Sequence, residues 1–287
     1  MAKHNVIRLL GQVCIDPQIS YDGGGNPSKG LIFLSTIRND RFFGHKDDFI
    51  RYDTPIIMSN HPEMVAEMAK LQCGDMVEVT GSFKTQMVVK QIKCKNPDCP
   101  SCKTGKRFEL TETVAYISPY HMITVAKGLD EKERIDFLNQ NKEVSNSATL
   151  VGTLAKDPVK YVPNDRPGMT VVQYPLIVGK KYHQKESLTS DKVDFPIIKA
   201  FNQIAIANYN NLKKGSRVLV DGMVQMREII RTVECEHCHE DIQWKETVME
   251  VIPFSVEFLE NFGEDYKEPE ENIESKKTSI ADEFFNS

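Results

Sequence analysis

The chain has 287 residues, 40% hydrophobic and 27% charged, a balance that suits two ordinary folded domains and excludes a fibrous or low-complexity protein. No run of about 18 apolar residues exists, which excludes a membrane-spanning helix, and Met1-Ala2-Lys3-His4-Asn5-Val6 lacks the apolar core of a secretion signal. The net charge of −5 lies entirely within Asn261 to Ser287, where acidic residues outnumber basic ones, so the preceding body is neutral and nucleic acid is attractive to it only through a local basic stripe.

From the N-terminus, Val6–Cys14, Leu31–Arg38 and Phe49–Met58 are rich in β-branched and aromatic residues and read as strands. His61–Leu71 puts Met64, Val65, Met68 and Leu71 on one helical face, and Gly74 just beyond it is a stop. Met76–Phe83 and Thr113–Ile117 complete a first set, with a cysteine loop over 94–102 between them. The polar stretch Ala126–Asn146 reads as a linker with room for a short helix. The pattern then starts again with Ala148–Leu154, Val171–Val178 and Val193–Lys199, a helix over Asn202–Leu212 stopped at Gly215, and strands Arg217–Val224 and Thr247–Val256 around a cysteine loop over 235–239. From about Gly263 the chain is acidic and poor in apolar residues, the composition of a disordered tail.

The second set repeats the first at an offset of 141. Gly11 maps to Gly152, Asp16-Pro17 to Asp157-Pro158, Pro55-Ile56-Ile57 to Pro196-Ile197-Ile198, and Gly81 to Gly222. From Asp53 to Cys94 the register has no gap, and 11 of the 42 pairs are identical, where chance gives about two or three. After the cysteines the offset drops to 134, matching Glu112 to Glu246 and Pro119 to Pro253. The order β-β-β-α-β-β in each copy is that of the OB barrel. The expected architecture is all-β: two tandem OB-fold domains over 1–125 and 147–262, a linker over 126–146 and a tail over 263–287.

Seven cysteines in a chain without a secretion signal do not make a disulfide framework. Cys14 and Cys73 stand alone. Cys94, Cys99 and Cys102 in the first loop, and Cys235 and Cys238 in the second, have the knuckle spacing of structural zinc ligands, because two thiolates so spaced reach one tetrahedral ion. Two arrangements fit. Each loop holds its own ion, with His237 or His239 completing the second, or the two loops share one four-cysteine ion, giving one or two zinc ions per chain.

The run Val6-Ile7-Arg8-Leu9-Leu10-Gly11 with Asp16-Pro17, its echo Ala148-Thr149-Leu150-Val151-Gly152 with Asp157-Pro158, and the segments Gly74–Gly81 and Gly215–Gly222 resemble the bacterial-type single-stranded DNA-binding (SSB) proteins. The resemblance covers about 200 residues and ordinary members lack the cysteine loops. It implies sequence-nonspecific binding of single-stranded DNA during replication, recombination or repair, by bases stacked on aromatic rings. The matching places hold Phe42, Phe43 and Tyr52 in the first copy and Tyr182, Phe195 and Phe201 in the second. Stacking suits a nonspecific binder because every base has a π-face. Basic residues interleave: Arg38, Arg41, Lys46, Arg51, Lys180, Lys181 and Lys185, with Lys84, Lys90, Arg227 and Arg231 on the strand-four hairpins. The family usually stacks on tryptophan, whereas this chain has only Trp244.

The resemblance further implies a homodimer with four barrels, and an acidic tail whose apolar tip docks on replication, recombination and repair proteins. Here the tip is Asp282-Glu283-Phe284-Phe285, followed by Asn286 and Ser287 where the family ends on Pro-Phe. Rival readings are an OB-fold replication scaffold, an RNA-binding protein, and a zinc nucleobase deaminase built on His61, Glu63, Cys99 and Cys102. The deaminase signature requires proline before its first cysteine, and Asp98 stands there. The expectation is a binding protein rather than an enzyme, in the cytoplasm of a bacterial or phage-infected cell.

Overall fold

The computed structural model describes residues 4–38, 51–92, 94, 96, 98–103, 108–164, 166–179, 193–235 and 237–260. The first repeat supplies β1 (His4–Val13), β2 (Gln18–Tyr21), β3 (Pro27–Ile37), β4 (Tyr52–Asp53), β5 (Ile56–Ser59), α1 (Pro62–Met68), β6 (Met76–Ile92), α2 (Pro100–Lys103) and β7 (Phe108–Ala126). After α3 (Glu131–Gln140), the second repeat supplies β8 (Asn146–Leu154), β9 (Val159–Tyr161), β10 (Val171–Gly179), β11 (Val193–Asp194), β12 (Ile197–Phe201), α4 (Asn202–Asn211), β13 (Arg217–Glu234) and β14 (Asp241–Glu260).

Each repeat closes an OB barrel. β1 is antiparallel to both β3 and β6, β3 to β5, and β5 runs parallel to β7 at Ile57 opposite Ile117. β7 returns beside β6 and completes the ring. The second repeat copies this with β8, β10, β12, β14 and β13, down to the parallel step at Ile198 opposite Val251. The apolar residues of the long barrel strands turn inward. Ile7, Leu9, Ile32, Leu34, Ile57, Val77, Val79 and Ile117 fill the first barrel, and Leu150, Tyr174, Leu176, Ile198, Val218, Val220 and Val251 the second.

Gly81 and Gly222 mark where the ring closes. A Cβ at Gly81 lies 2.6 Å from Ser118 O, and at Gly222 2.2 Å from Ile252 O. No other residue lets the fourth and fifth strands approach so closely. The bottom of the first barrel is plugged by Val65 and Met68 of α1. α4 plugs the second with Ala205 and Asn208, whose amide donates to the buried Tyr174 hydroxyl at 3.1 Å.

The described residues form two compact units: one of 4–84, 116–226 and 249–260, and one of 85–115 and 227–248. The first holds both barrels. There β1 lies antiparallel to β8, from His4 opposite Val151 to Leu9 opposite Asn146. Asn5 exchanges two hydrogen bonds with the Phe83 backbone at 2.9 and 2.8 Å, and Asn146, its mate 141 residues on, does so with Val224 at 2.7 and 2.9 Å. α3 opens with a capping box between Asp130 and Glu133 and buries Leu138 against Ile37 and Met76.

Three features depart from the sequence-based expectation. The third strand of each repeat is split at Pro55 and Pro196, which lack the N–H a ladder needs. β2 and β9, short and exposed, carry no apolar alternation to reveal them. The fourth and fifth strands are longer than expected, with β6 running to Ile92, β7 starting at Phe108, β13 running to Glu234 and β14 starting at Asp241. No described helix is long and apolar enough to cross a membrane.

Candidate functional site

The second unit has little apolar material of its own. Its buried cluster is Cys94, Cys99, Cys235 and Ile242, with Ile92, Val233 and Cys238 packed against it. The four sulfurs of Cys94, Cys99, Cys235 and Cys238 all lie within 4.8 Å of one another. Cys94 Sγ is 3.6 Å from Cys238 Sγ, and Cys99 Sγ is 3.9 Å from Cys235 Sγ. A tetrahedral ion with bonds of about 2.3 Å to sulfur sets its ligands about 3.8 Å apart, so the observed spacings fit one such ion. Each repeat contributes two of the four cysteines, and each close pair joins one repeat to the other.

The electrostatics of the cluster suit a cation. Backbone N–H groups of His237 and Cys238 point at Cys235 Sγ and hold its thiol down to about 7. Cys238 receives the Glu240 N–H, which acts downward, but burial and hydrogen bonds among the neighbouring thiols push it up to about 12. Asn96 N–H donates to Cys94 Sγ at 3.3 Å. The opposite directions at Cys235 and Cys238 are those of neighbouring thiols that share one negative charge, which a divalent cation would neutralise.

The first loop enters through Cys94 and Cys99, while the Cys102 side chain lies outside the described residues. His237 is exposed, and His239 is on the surface with Nδ1 2.5 Å from Glu234 Oε1. The sulfurs gathered around Cys99 are those of other cysteines, and His61 stands at the N-cap position of α1 without a side-chain cap hydrogen bond.

A second cluster on this unit was not anticipated. Lys90 Nζ contacts Glu112 Oε2 and lies 3.4 Å from Glu246 Oε1, and Arg231 donates to Glu246 Oε2 at 2.8 Å. Lys90 and Arg231 are 141 apart, and Glu112 and Glu246 are 134 apart, so these are two pairs of repeat mates. Both carboxylates are buried. Burial acts to raise the Glu246 carboxyl, but Arg231 and Lys90 override it and hold the group below its ordinary value. Burial likewise acts to lower Lys90, and Glu112 and Glu246 carry it above the ordinary lysine value. The signal was present in the sequence as charged residues matching between repeats outside any core.

In the first unit, Arg38 makes a bidentate pair with buried Asp53 at 2.8 and 2.6 Å, and Asp53 also accepts the Met226 N–H at 2.9 Å. Lys84 Nζ lies 3.5 Å from buried Asp194, the repeat mate of Asp53. Arg51 is exposed and Tyr52 beside it is 39% exposed, while Phe195, Phe201 and Arg227 are half-buried. Arg41, Phe42, Phe43, Lys180, Lys181 and Tyr182 lie outside the described residues, as do Asp282, Glu283, Phe284 and Phe285.

Comparison with known proteins matches residues 145–259 to the single-strand binding protein family. The single-stranded DNA-binding protein of Caldanaerobacter subterraneus subsp. tengcongensis is 31% identical over 147 residues, 48% of this chain and 89% of that protein. The chain belongs to the single-strand binding protein family. Single-stranded DNA-binding protein 2 of Chlorobaculum tepidum is 33% identical over 82 residues, 29% of this chain. The chain spans about half the length of that relative, 55%. Among solved structures, a deletion mutant of the single-stranded DNA binding protein from Thermus aquaticus superposes with a TM-score of 0.55, covering 93% of this chain and all of the other. At 17% identity it shares the fold of the family.

Proposed function

We propose that the chain binds single-stranded DNA without sequence preference, protecting it during replication, recombination or repair, and acts by binding rather than catalysis. The observation that carries this reading is the relative of that name, matched over nearly its whole length, together with two complete OB barrels of the kind that bind single strands. Arg38, Lys84, Lys90 and Arg231 are already paired with carboxylates. A phosphate that binds these four displaces a carboxylate, and Arg51, Arg227, Arg41, Lys180 and Lys181 are the other basic residues proposed to contact phosphates. Tyr52, Phe195 and Phe201, with Phe42, Phe43 and Tyr182, are the rings on which bases stack. The domains fall at 1–125 and 147–262, and two chains pair to bring four barrels together in the cytoplasm. The tail beyond residue 262 recruits partner proteins through Asp282, Glu283, Phe284 and Phe285.

Cys94, Cys99, Cys235 and Cys238 hold a single structural zinc ion per chain in this reading, supported by their mutual spacing. The ion supplies the ordering that the outer strands cannot draw from apolar burial.

The test is a titration of labelled oligo-dT, poly-U and duplex across a salt series. Tight oligo-dT binding that weakens steeply with salt supports the proposal. Equal affinity for duplex refutes it, and preference for poly-U moves the substrate to RNA.

A further inference from the structure

We infer that Cys14 and Cys73 are a redox-modifiable dithiol, which hydrogen peroxide closes into a reversible disulfide that staples the end of β1 to the turn after α1. Both thiols are free, Cys73 on the surface and Cys14 half-buried. Val13 N–H donates to Asp75 O at 2.9 Å, and Gly74 N–H donates to Val13 O at 2.9 Å, so the next residues along, Cys14 and Cys73, face each other. Their own backbone N–H groups are used elsewhere, that of Cys14 on Phe33 O and that of Cys73 on Asp16 Oδ1, both at 2.9 Å. In a ladder, a facing pair without mutual backbone hydrogen bonds has its Cα atoms about 4.5 Å apart, inside the range of about 4.4–6.8 Å that a disulfide spans. The Cys73 thiol already donates to the Cys14 carbonyl at 3.1 Å, so a turn about its Cα–Cβ bond gives up only one weak hydrogen bond.

The second repeat shows that neither sulfur is needed to build this turn. The mates of Cys14 and Cys73 are Ala155 and Lys214. There Leu154 N–H donates to Ser216 O at 2.9 Å, Gly215 N–H to Leu154 O at 3.0 Å, and Lys214 N–H to Asp157 Oδ1 at 2.7 Å, bond for bond as in the first repeat. Gly74 and Gly215 turn the chain alike, with φ of +97° and +88°. The two cysteines are therefore chemistry added to a scaffold that stands without them.

Exposed Cys73 is the attacking group. Its thiolate takes one peroxide oxygen, the O–O bond breaks and hydroxide leaves. The Cys14 sulfur then attacks that sulfenic sulfur, the S–S bond forms, the S–O bond breaks and a second hydroxide leaves. The two thiol protons turn both hydroxides into water, so the peroxide is reduced and the two thiols are oxidised. Burial pushes the Cys14 thiol up against the pull of the Ser35 backbone, and charge on Cys73 pushes it the same way, which suits Cys14 to the second step. The closed loop from 14 to 73 contains α1, whose Val65 and Met68 plug the barrel, so the bond restrains the unfolded chain and holds the plug. In a reducing compartment such a bond is transient and reports oxidation.

Full-length protein is treated with equimolar hydrogen peroxide, its remaining thiols are alkylated, and its peptides are mapped by mass spectrometry without reductant. The expected result is a linked pair of peptides carrying Cys14 and Cys73, which dithiothreitol separates. The melting temperature should rise by about 5 °C or more on oxidation and fall back on reduction. Cys14→Ala and Cys73→Lys install the residues of the second repeat, so both variants should fold, form no such link and show no rise. Zinc content, followed in parallel, shows whether the other cysteines are untouched. Linkage of Cys73 to any other cysteine, sulfinic acid on Cys73 beside a free Cys14 thiol, or two unmodified thiols each overturns the inference. A Cys14–Cys73 link that leaves the melting temperature unchanged overturns the staple.

Discussion

Ile7 sits directly opposite Ala148 across the antiparallel pair of β1 and β8, and the two are 141 residues apart. Each is the other's repeat mate, so a pseudo-two-fold axis passes through this pair. The reciprocal asparagine clamps follow from the same relationship, because Asn5 with Phe83 and Asn146 with Val224 are one interaction written twice. So does the composition of the second unit, in which mates such as Cys94 and Cys235, or Lys90 and Arg231, enter one cluster.

Gly222→Ala should destabilise the protein by about 1–3 kcal/mol, because its Cβ meets the Ile252 carbonyl oxygen, and backbone on both sides cannot yield. Gly23→Ala, with nothing within 4 Å, should stay within about 0.5 kcal/mol. Chemical denaturation of both variants checks the contrast, and equal midpoints would contradict the close approach.

Cys94→Ser and Cys238→Ser should each abolish stoichiometric zinc, whereas Cys73→Ser and Cys102→Ser should retain one ion per chain. Elemental analysis after gel filtration reads this directly. A chelator should expose 85–115 and 227–248 to protease before the barrels are cut. Two ions in the wild type, or loss of zinc in Cys102→Ser, would show that the loops bind metal separately.

The charged cluster should shape stability at both ends of the pH scale. Glu246 has a depressed folded value, so its contribution is present above the ordinary carboxylate range of about 4.3 and is lost as pH falls through the folded value. Lys90 has a raised folded value, so its contribution is complete below about 10.4 and is lost as pH rises through the folded value. Lys90 is 41% exposed, so solvent screening limits the alkaline limb to about 1 kcal/mol or less. Denaturation midpoints against pH for Glu246→Gln and Lys90→Met should flatten the acid and alkaline limbs respectively.

Deleting 263–287 removes the entire net charge of −5 and should raise DNA affinity at low salt while leaving the melting temperature of the barrels unchanged. The gain should vanish as salt screens it. Phe284→Ala with Phe285→Ala should keep DNA affinity and lose partner proteins in a pull-down. If the double variant recovers the same partners as the wild type, the rings are not a docking site.

The repeat of 141 residues, the strand and helix order, and hence the two OB barrels were legible in the sequence. Apolar alternation and turn glycines act locally, and Gly81 and Gly222 announced themselves by recurring. The cysteines were legible as candidate metal ligands, but that sulfurs of the two loops lie together was not, because that depends on contacts between residues far apart in the chain. Pairing of Cys94 with Cys238 spans 144 residues, and no local pattern encodes it. The same limit hid the Lys90, Glu112, Arg231 and Glu246 cluster, and it made Arg38 look available until Asp53 was found beside it. Charge type and spacing are written in the chain, but neutralisation is a property of neighbours, and only the tertiary structure assigns those.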